Sequence, residues 1–187
     1  MFTRSTIIAI LLAGTSAAGM AWSVSSRRSD MDEARLRLAE ARRVAPGFVG
    51  LTNWLNSGPL SIGDLRGKVV FVDFWTYGCY NCVNTLPYVK RLHEAYKDKG
   101  LVIVGVHTPE FPREKSLSNV QAAVKRHGIQ YPVAQDNEYA TWRAYKNQYW
   151  PAQYIVDQKG FIVFEHAGEG QYDKIEQTIK NLLAAEG

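Results

Sequence analysis

Both cysteines of this chain follow directly after its most continuous strand-like run. Residues 69–75 are almost entirely β-branched or aromatic, as expected for a strand that is buried on both faces. Cys79 and Cys82 come next, and apolar residues then recur at helical spacing across residues 83–96. A strand of this kind must lie inside a sheet covered by helices, so the chain is constrained to an α/β architecture with the cysteine pair at a strand-to-helix junction.

The spacing of the pair indicates chemistry rather than structural reinforcement. A disulfide across so short a loop removes only about 2 kcal/mol of chain entropy, against roughly 4–5 kcal/mol for spans near 100 residues. Pairs at this spacing usually serve as redox dithiols or as half of a zinc site. The sequence contains no second cysteine pair, and its four histidines are scattered. The spacing therefore favours redox chemistry, with a metal site and an inert buried thiol pair as the alternatives.

The two thiols are expected to have different roles. Cys79 comes at the start of the predicted helix, where unpaired backbone N–H groups and the helix dipole stabilise a thiolate. Cys82 lies one turn further into the helix, where it is less exposed and suited to resolving a mixed disulfide. The sequence thus predicts Cys79 as the nucleophile and Cys82 as the resolving thiol.

Strand-like and helical segments alternate along the rest of the body. Apolar, β-rich runs and amphipathic stretches predict strands and helices in turn. The predicted strands are 68–75, 101–107, 131–134, 152–157 and 161–166, the last two joined in a hairpin by a turn at 158–160. The predicted helices are 83–96, 116–127, 138–145 and 172–182. This order predicts a mixed sheet flanked by helices, with an insert after the second strand.

Residues 1–26 have the layout of an export segment. Arg4 precedes an apolar run from Ile7 to Trp22 that carries small residues near its end, which is typical of a signal peptide. Flanking Ser and Thr residues would bring the run to the roughly 20 residues that a membrane span needs, so a cleaved signal and a retained anchor both remain open. Residues 27–45 are predicted to form a polar helical stem, and residues 46–187 a globular domain.

The distribution of charge argues against nucleic-acid binding. The chain has a formal net charge of +4. Residues 1–45 hold seven of its 22 basic residues and four of its 18 acidic ones, which leaves a net charge of +1 on residues 46–187. Because the basic excess belongs to the tail, the folded body is not expected to offer a phosphate-binding surface.

Several segments resemble one family in the same order along the chain. Residues 72–82, with Pro87 shortly after them, resemble the active-site segment of the thioredoxin superfamily. Residues 105–111 and 147–152 are similar to the thioredoxin-like domain of DipZ-type proteins, within the TlpA/ResA branch. The resemblance implies a thioredoxin fold over residues 46–185, with a central mixed β-sheet flanked by helices, an αβ insert and an N-terminal β-hairpin. It also implies thiol–disulfide exchange outside the cytoplasm, with no cofactor beyond a redox-active Cys79–Cys82 disulfide.

Two acids are candidates for the site. Asp73 stands among apolar residues in a predicted buried strand, where burial would raise its pKa and suit it to accept the proton of Cys82. The family places a buried acid at this position. TlpA/ResA members also place an active-site acid in the loop that here contains Glu110. A strand-edge aspartate and a solvated loop glutamate, both facing water, are the alternatives.

The resemblance further implies a substrate-binding set. It predicts a cis peptide bond at Trp150–Pro151, beside the dithiol, whose neighbouring backbone binds an extended substrate strand. Trp75 and Trp150 are expected near the sulfurs, either as substrate contacts or as core aromatics. Tyr80 and Asn81, between the cysteines, complete the set and replace the Gly-Pro pair of thioredoxin itself.

The predicted activity is an exported thiol–disulfide oxidoreductase whose substrates are proteins with disulfides or thiols. A membrane thiol-electron donor of the DipZ/CcdA type is the expected partner, with the site in the periplasm or at the outer face of the inner membrane. A peroxiredoxin-like peroxidase is the first alternative, since Thr76 and Cys79 fit half of its P-x-x-x-T-x-x-C signature while Val72 occupies the proline position. A metal-binding or copper-delivery module is the second.

Overall fold

The structure is a computed structural model, which describes residues 43–185. The predicted export segment at 1–26, and the predicted stem at 27–45 except for its last three residues, lie outside the described residues. Within residues 43–185, no helix has both the length and the apolar character needed to cross a membrane.

Seven strands and four helices make up the described domain. The strands are β1 (Arg43–Val44), β2 (Thr52–Leu55), β3 (Val69–Trp75), β4 (Leu101–His107), β5 (Val133–Gln135), β6 (Ala152–Val156) and β7 (Phe161–Ala167). The helices are α1 (Tyr80–Tyr96), α2 (Leu117–His127), α3 (Ala140–Ala144) and α4 (Tyr172–Ala184), with short 3₁₀ turns at Lys97–Lys99 and Pro112–Lys115.

The strands form one mixed sheet with β3 at its centre. Their order is β1-β7-β6-β3-β4-β5-β2. β3 runs parallel to β4 and antiparallel to β6. Asp73 pairs with Gly105 on one side and with Gln153 on the other. Since β3 and β4 end together at Trp75 and His107, the segments that follow both strands meet at one edge of the sheet, where sites form in α/β folds.

Two cores cover the two faces of the sheet, as the alternation of side chains along a strand requires. Val69, Phe71 and Trp75 point into the first core, together with buried residues of α1, α2 and α4. Val70, Val72 and Phe74 point into the second, against α3 and the segment before β3. All seven residues of β3 are buried. The prediction of a central strand buried on both faces is confirmed.

Most predicted elements occur where the pattern placed them. β4 has the predicted bounds, and α1 continues through Pro87. The short strand predicted at 131–134 instead begins at Val133. Pro132, which lacks an N–H, contributes only its carbonyl, which accepts from the N–H of Gly105 at 2.8 Å. The helix predicted at 138–145 is shorter, covering Ala140–Ala144.

The expected N-terminal β-hairpin is wrong. β1 pairs with β7 and β2 pairs with β5, so the two strands lie at opposite edges of the sheet. Each covers the outer side of its partner strand. As an edge strand of only two or four residues, it leaves few backbone groups unpaired at the border of the sheet. The sheet also begins at Arg43, three residues before the predicted domain start, and Ala45 is buried with its N–H bonded to Gly160 O at 2.9 Å.

Candidate active site

Cys79 is the N-cap residue of α1. Its backbone is extended (φ −84°, ψ 119°), and its sulfur accepts a hydrogen bond from the N–H of Cys82 at 3.2 Å. This N–H belongs to the first turn of the helix, whose amides have no partner within the helix itself. Both cysteines are free thiols, Cys79 partly exposed and Cys82 buried. The predicted junction and the predicted difference in exposure are therefore both present.

The pKa values of the two thiols move in opposite directions. Hydrogen bonds from the thiol and then the N–H of Cys82 lower the pKa of Cys79 to about 7, although partial burial and Glu110 oppose this. Burial, and then the hydrogen bond to Cys79, raise the pKa of Cys82 well above its usual range. One sulfur is thus prepared to attack at neutral pH, while the other keeps its proton until a base removes it.

Asp73 lies in the middle of β3 and has no exposed surface. Burial raises its pKa to about 7, a shift that the Cys79 charge reinforces and the Gln153 side chain opposes. Nε2 of Gln153 donates to Oδ1 at 3.4 Å, whereas Oδ2 has no hydrogen-bond partner among the described residues. A carboxyl group whose pKa is close to neutrality can both take and release a proton near physiological pH.

An open cleft of about 400 Å³ surrounds the exposed side of Cys79. One wall is the start of α1, where Tyr80 is 78% exposed and Asn81 is also exposed. Glu110 and Phe111, in the loop after β4, and Trp150 form the rest of the cleft. The structure therefore brings Tyr80, Asn81, Glu110 and Trp150 together around Cys79.

The two tryptophans differ in their access to this cleft. Trp150 is partly exposed, and its indole N–H donates to Thr108 O at 3.0 Å. The Trp150–Pro151 peptide bond is cis, as the resemblance implied. Trp75 is fully buried in the core beneath the cysteines. This burial corrects the expectation that Trp75 contacts substrate, because its ring packs against the core and does not reach the surface.

Glu110 is an exposed acid at the rim, and the buried acid of this loop is Glu114, which sequence reasoning missed. Glu114 has no exposed surface. Its Oε2 accepts from Thr76 Oγ1 at 2.6 Å, from the Glu110 N–H at 2.8 Å and from the Phe111 N–H at 3.3 Å. The available signal was Pro112 two residues earlier, since Pro at N1 with Glu at N3 is typical of a helical first turn whose acid bonds back to the backbone.

His107 completes this buried polar group. Its Nε2 lies 3.3 Å from Thr76 Oγ1, and its ring stacks on Tyr77. Burial lowers the pKa of His107 to about 4, so the imidazole is neutral at physiological pH. Thr76 and His107 come at the ends of the two central parallel strands, and that position was the sequence signal for them.

Gly78 shows how closely this group approaches the dithiol. A Cβ added at Gly78 would lie 2.0 Å from Glu114 Oε1 and 3.2 Å from Glu114 Cδ. We expect Gly78→Ala to destabilise the protein by about 1–3 kcal/mol, because the buried carboxylate must move. Denaturant unfolding measures this, with Gly58→Ala as control, since a Cβ there meets nothing within 4 Å. Equal unfolding midpoints for the two variants would contradict the tight approach.

Residues 43–185 contain no group of three or more His, Cys, Asp or Glu side chains placed to hold a metal ion. The charge of Glu110 opposes ionisation of Cys79, and the charge of the buried Asp73 contributes to the raised pKa of Cys82. The arrangement is therefore one of two thiols and carboxyl groups, suited to moving protons and exchanging sulfur–sulfur bonds.

Comparison with known proteins places this chain in a family. Protein DipZ of Mycobacterium tuberculosis is 46% identical over 147 residues, which cover 77% of this chain and 21% of DipZ. The chain thus spans about a fifth of the length of that relative. Thiol-disulfide oxidoreductase YkuV of Bacillus subtilis is 28% identical over 144 residues, covering 76% of this chain and 96% of YkuV.

A solved structure shows the same family similarity. A thiol-disulfide isomerase from Corynebacterium glutamicum superposes with a TM-score of 0.68 at 27% identity, covering 74% of this chain and 96% of that one. The AhpC/TSA family matches residues 42–165, which include the dithiol, Glu114 and Pro151. This chain belongs to the AhpC/TSA family, as a thioredoxin-like protein of the kind that carries out thiol–disulfide exchange.

Proposed function

We propose that the chain exchanges electrons with the disulfides of substrate proteins outside the cytoplasm through its Cys79-Tyr80-Asn81-Cys82 dithiol. The observation that carries this proposal is the position of the Cys79 sulfur, which caps α1, accepts the Cys82 N–H at 3.2 Å and opens into the cleft. Such a sulfur is both activated and accessible, whereas a structural cysteine is usually buried and inert.

The reaction follows from the two thiols. The Cys79 thiolate attacks one sulfur of the substrate disulfide, and the other substrate sulfur leaves as a thiolate that takes a proton from water. Cys82 then attacks the Cys79 sulfur, which forms the Cys79–Cys82 disulfide and releases the second substrate sulfur. The substrate gains two electrons and the dithiol loses two. In the reverse direction the same steps oxidise a substrate dithiol.

Asp73 is proposed as the base for the second half of the reaction. Burial keeps the Cys82 thiol protonated, so its attack requires an acceptor for that proton. The Asp73 carboxyl is buried in the same part of the domain, and its charge contributes to the raised pKa of Cys82. Glu110 is proposed as an acid at the rim, where its charge opposes formation of the Cys79 thiolate.

Substrate contacts are assigned to the exposed walls of the cleft. Tyr80, Asn81 and Trp150 surround Cys79, and the backbone at Trp150–Pro151 is proposed to bind an extended segment of the substrate. Export by residues 1–26, as a cleaved signal or a retained anchor, supports an extracytoplasmic site, and DipZ-like similarity supports a membrane thiol-electron donor as partner. These assignments are proposals that the family and the apolar N-terminus support.

Alkylation of Cys79 by iodoacetamide is expected to follow a midpoint near pH 7. Only the thiolate reacts, and the hydrogen bonds from Cys82 lower the pKa of Cys79 to about 7. The rate should therefore rise as the pH increases through 7 and level off above it. Rates measured from pH 5 to 10 on the reduced Cys82→Ala and unmodified chains test this, with a midpoint nearer the alkaline end in Cys82→Ala, whose side chain has no hydrogen-bond donor for the Cys79 sulfur. Indistinguishable midpoints above pH 8.5 would contradict the proposed activation.

One assay separates this function from the peroxidase alternative. Thr76 Oγ1 donates to Glu114 and contacts His107, so its hydroxyl is already engaged away from Cys79. We expect slow consumption of hydrogen peroxide and efficient reduction of a disulfide-linked peptide. Peroxide turnover that is faster than disulfide exchange, and unaffected by Cys82→Ser, would favour the peroxidase.

A further inference from the structure

Glu114 is the one acid in the loop after β4 that is fully buried. Its sequence neighbours Arg113 and Lys115 are exposed. Burying a carboxylate is costly unless donors compensate for the lost water. Three donors do so at one oxygen, and they come from both walls of the cleft: Thr76 from the segment before Cys79, and the N–H groups of Glu110 and Phe111 from the opposite loop.

The Glu114 carboxylate thus links the two walls of the cleft through its hydrogen bonds. Thr76 continues from the central strand into the cysteine turn, where its carbonyl accepts the Cys79 N–H at 3.4 Å. Glu110 and Phe111 line the cleft opposite Cys79. A single side chain therefore links the backbone that presents the nucleophile to the loop that faces it. Such a link restricts the separation of the two walls.

The second oxygen has a different environment. Glu114 Oε1 has no hydrogen-bond partner among the described residues, and it faces Gly78, where only the absence of a side chain leaves room for it. Gly78 immediately precedes Cys79. The carboxylate therefore lies directly against Gly78, the residue before Cys79, with a guanidinium nitrogen of Arg113 beside the same glycine. A negative charge at this position opposes the effect of a helix N-terminus on a nearby sulfur.

Other charges face the same region. Glu110, Asp73 and the Cys82 thiol interact with Cys79, and His107 and Tyr139 interact with Glu114. A guanidinium nitrogen of Arg113 lies 3.7 Å from the position of a Gly78 Cβ. Arg113 and Glu110 are exposed, so solvent screens their charges. Asp73 and Glu114 are the buried acids of the set, and Glu114 is the one that accepts hydrogen bonds from both walls of the cleft.

We propose that Glu114 is a positioning residue of the exchange site, which holds the two walls of the cleft together and keeps the Cys79–Cys82 couple more reducing than its helix position alone would make it. This inference rests on the proposed exchange function. It assigns a role to a residue that touches neither substrate nor the reacting sulfurs. The mechanism is electrostatic and geometric: the charge disfavours the thiolate, and the hydrogen bonds fix the cysteine turn.

The charge is tested with Glu114→Gln, which keeps the shape and the acceptor for Thr76. Removing the charge stabilises the Cys79 thiolate and hence the reduced form. We expect the midpoint of Cys79 alkylation to fall by about half a pH unit, which is a threefold change in thiolate fraction below the midpoint. The equilibrium constant with a glutathione buffer, measured at a pH above the alkylation midpoint, should change by up to about threefold towards the reduced protein, which is about 14 mV. The matched control is Asp98→Asn, an exposed acid beyond the far end of the 17-residue helix α1.

The bridge is tested with Glu114→Met, which removes the hydrogen bonds as well as the charge. It should show the same direction of shift in potential, together with a larger loss of exchange rate than Glu114→Gln. If one of the two variants fails to fold, the shift in redox potential is measured on the other. An unchanged potential and alkylation midpoint in a folded variant would overturn the inference. Failure of the unmodified chain to form or exchange a Cys79–Cys82 disulfide would instead overturn the proposed function, so the two failures are distinguishable.

Discussion

Replacing Cys79 with Ser is expected to reduce disulfide exchange to the uncatalysed background, a loss of at least about 10³-fold. A serine hydroxyl is not ionised at neutral pH and cannot replace the thiolate that Cys82 stabilises at the N-cap of α1. The fold should be unaffected, since Cys79 is partly exposed and its substitution leaves the buried residues of β3 and α1 unchanged. Reduction of a disulfide-linked fluorescent peptide, with thermal unfolding as the check on folding, measures both effects.

Cys82→Ser provides the matched control, because it removes the other sulfur while leaving the nucleophile. This variant should still attack the substrate but stop at the mixed disulfide, which mass spectrometry of the quenched reaction would detect as a covalent adduct at Cys79. The double variant should form no adduct. Full exchange activity in Cys79→Ser, or an adduct located at Cys82 in the unmodified chain, would reverse the assignment of the two roles.

The central part of the fold could be predicted because local and global preferences agree there. The apolar run that forms β3 requires burial on both faces, and the cysteine pair after it falls at the start of α1. β4 likewise has its predicted bounds. In such segments the hydrophobic pattern alone determines the element and its place in the sheet.

The edges of the sheet were harder to predict because their strands are short and their partners are distant in sequence. β1 has two residues and pairs with β7, while β2 pairs with β5 at the other edge. The N-terminal hairpin was expected only from the family resemblance. Pairing between strands so far apart along the chain leaves no local signal in either of them.

The candidate site also contains residues that the sequence identifies and residues that it does not. Cys79, Cys82 and Asp73 are identified by their own surroundings in the sequence, and all three lie together in the structure. Glu114 and Thr76 are not, since their importance depends on a contact across 38 residues. Pro112 marks Glu114 in the sequence only as an acid of a first helical turn, and its burial and its three donors at Oε2 are seen only in the structure.

Replacing Asp73 with Asn is expected to stabilise the protein in a pH-dependent way. Burial raises the folded-state pKa of Asp73 from 3.8 to about 7, so the folded protein holds this proton more tightly than the unfolded chain. Stability is therefore lost as the pH rises from about 4 to 7, by about 4 kcal/mol in total. The asparagine side chain cannot ionise, so the difference in unfolding free energy between the variant and the unmodified chain should grow by about 4 kcal/mol between about pH 4 and pH 8.

Urea unfolding of the oxidised proteins measures this difference without interference from the Cys79 thiolate. The Cys79 charge is the smallest of the three contributions to the pKa of Asp73 and burial is the largest, so most of the effect should persist in the oxidised state. Asp98→Asn, which removes one exposed acid, is the matched control. A difference for Asp73→Asn that stays within about 1 kcal/mol from pH 4 to 8 would show that Asp73 titrates like a surface acid.

Asp73→Asn should also slow exchange. A substitution that raises the stability of the protein while it lowers the activity is typical of a functional residue. Without the carboxylate, the Cys82 proton has no buried acceptor, so release of the mixed disulfide should slow by about 10²-fold at pH 7. Attack by Cys79 should change little, because its sulfur is activated by Cys82. Rapid-quench measurement of the two steps separates them. If Asp73→Asn is more stable and yet resolves the mixed disulfide at the parental rate, then Asp73 is not the base for Cys82.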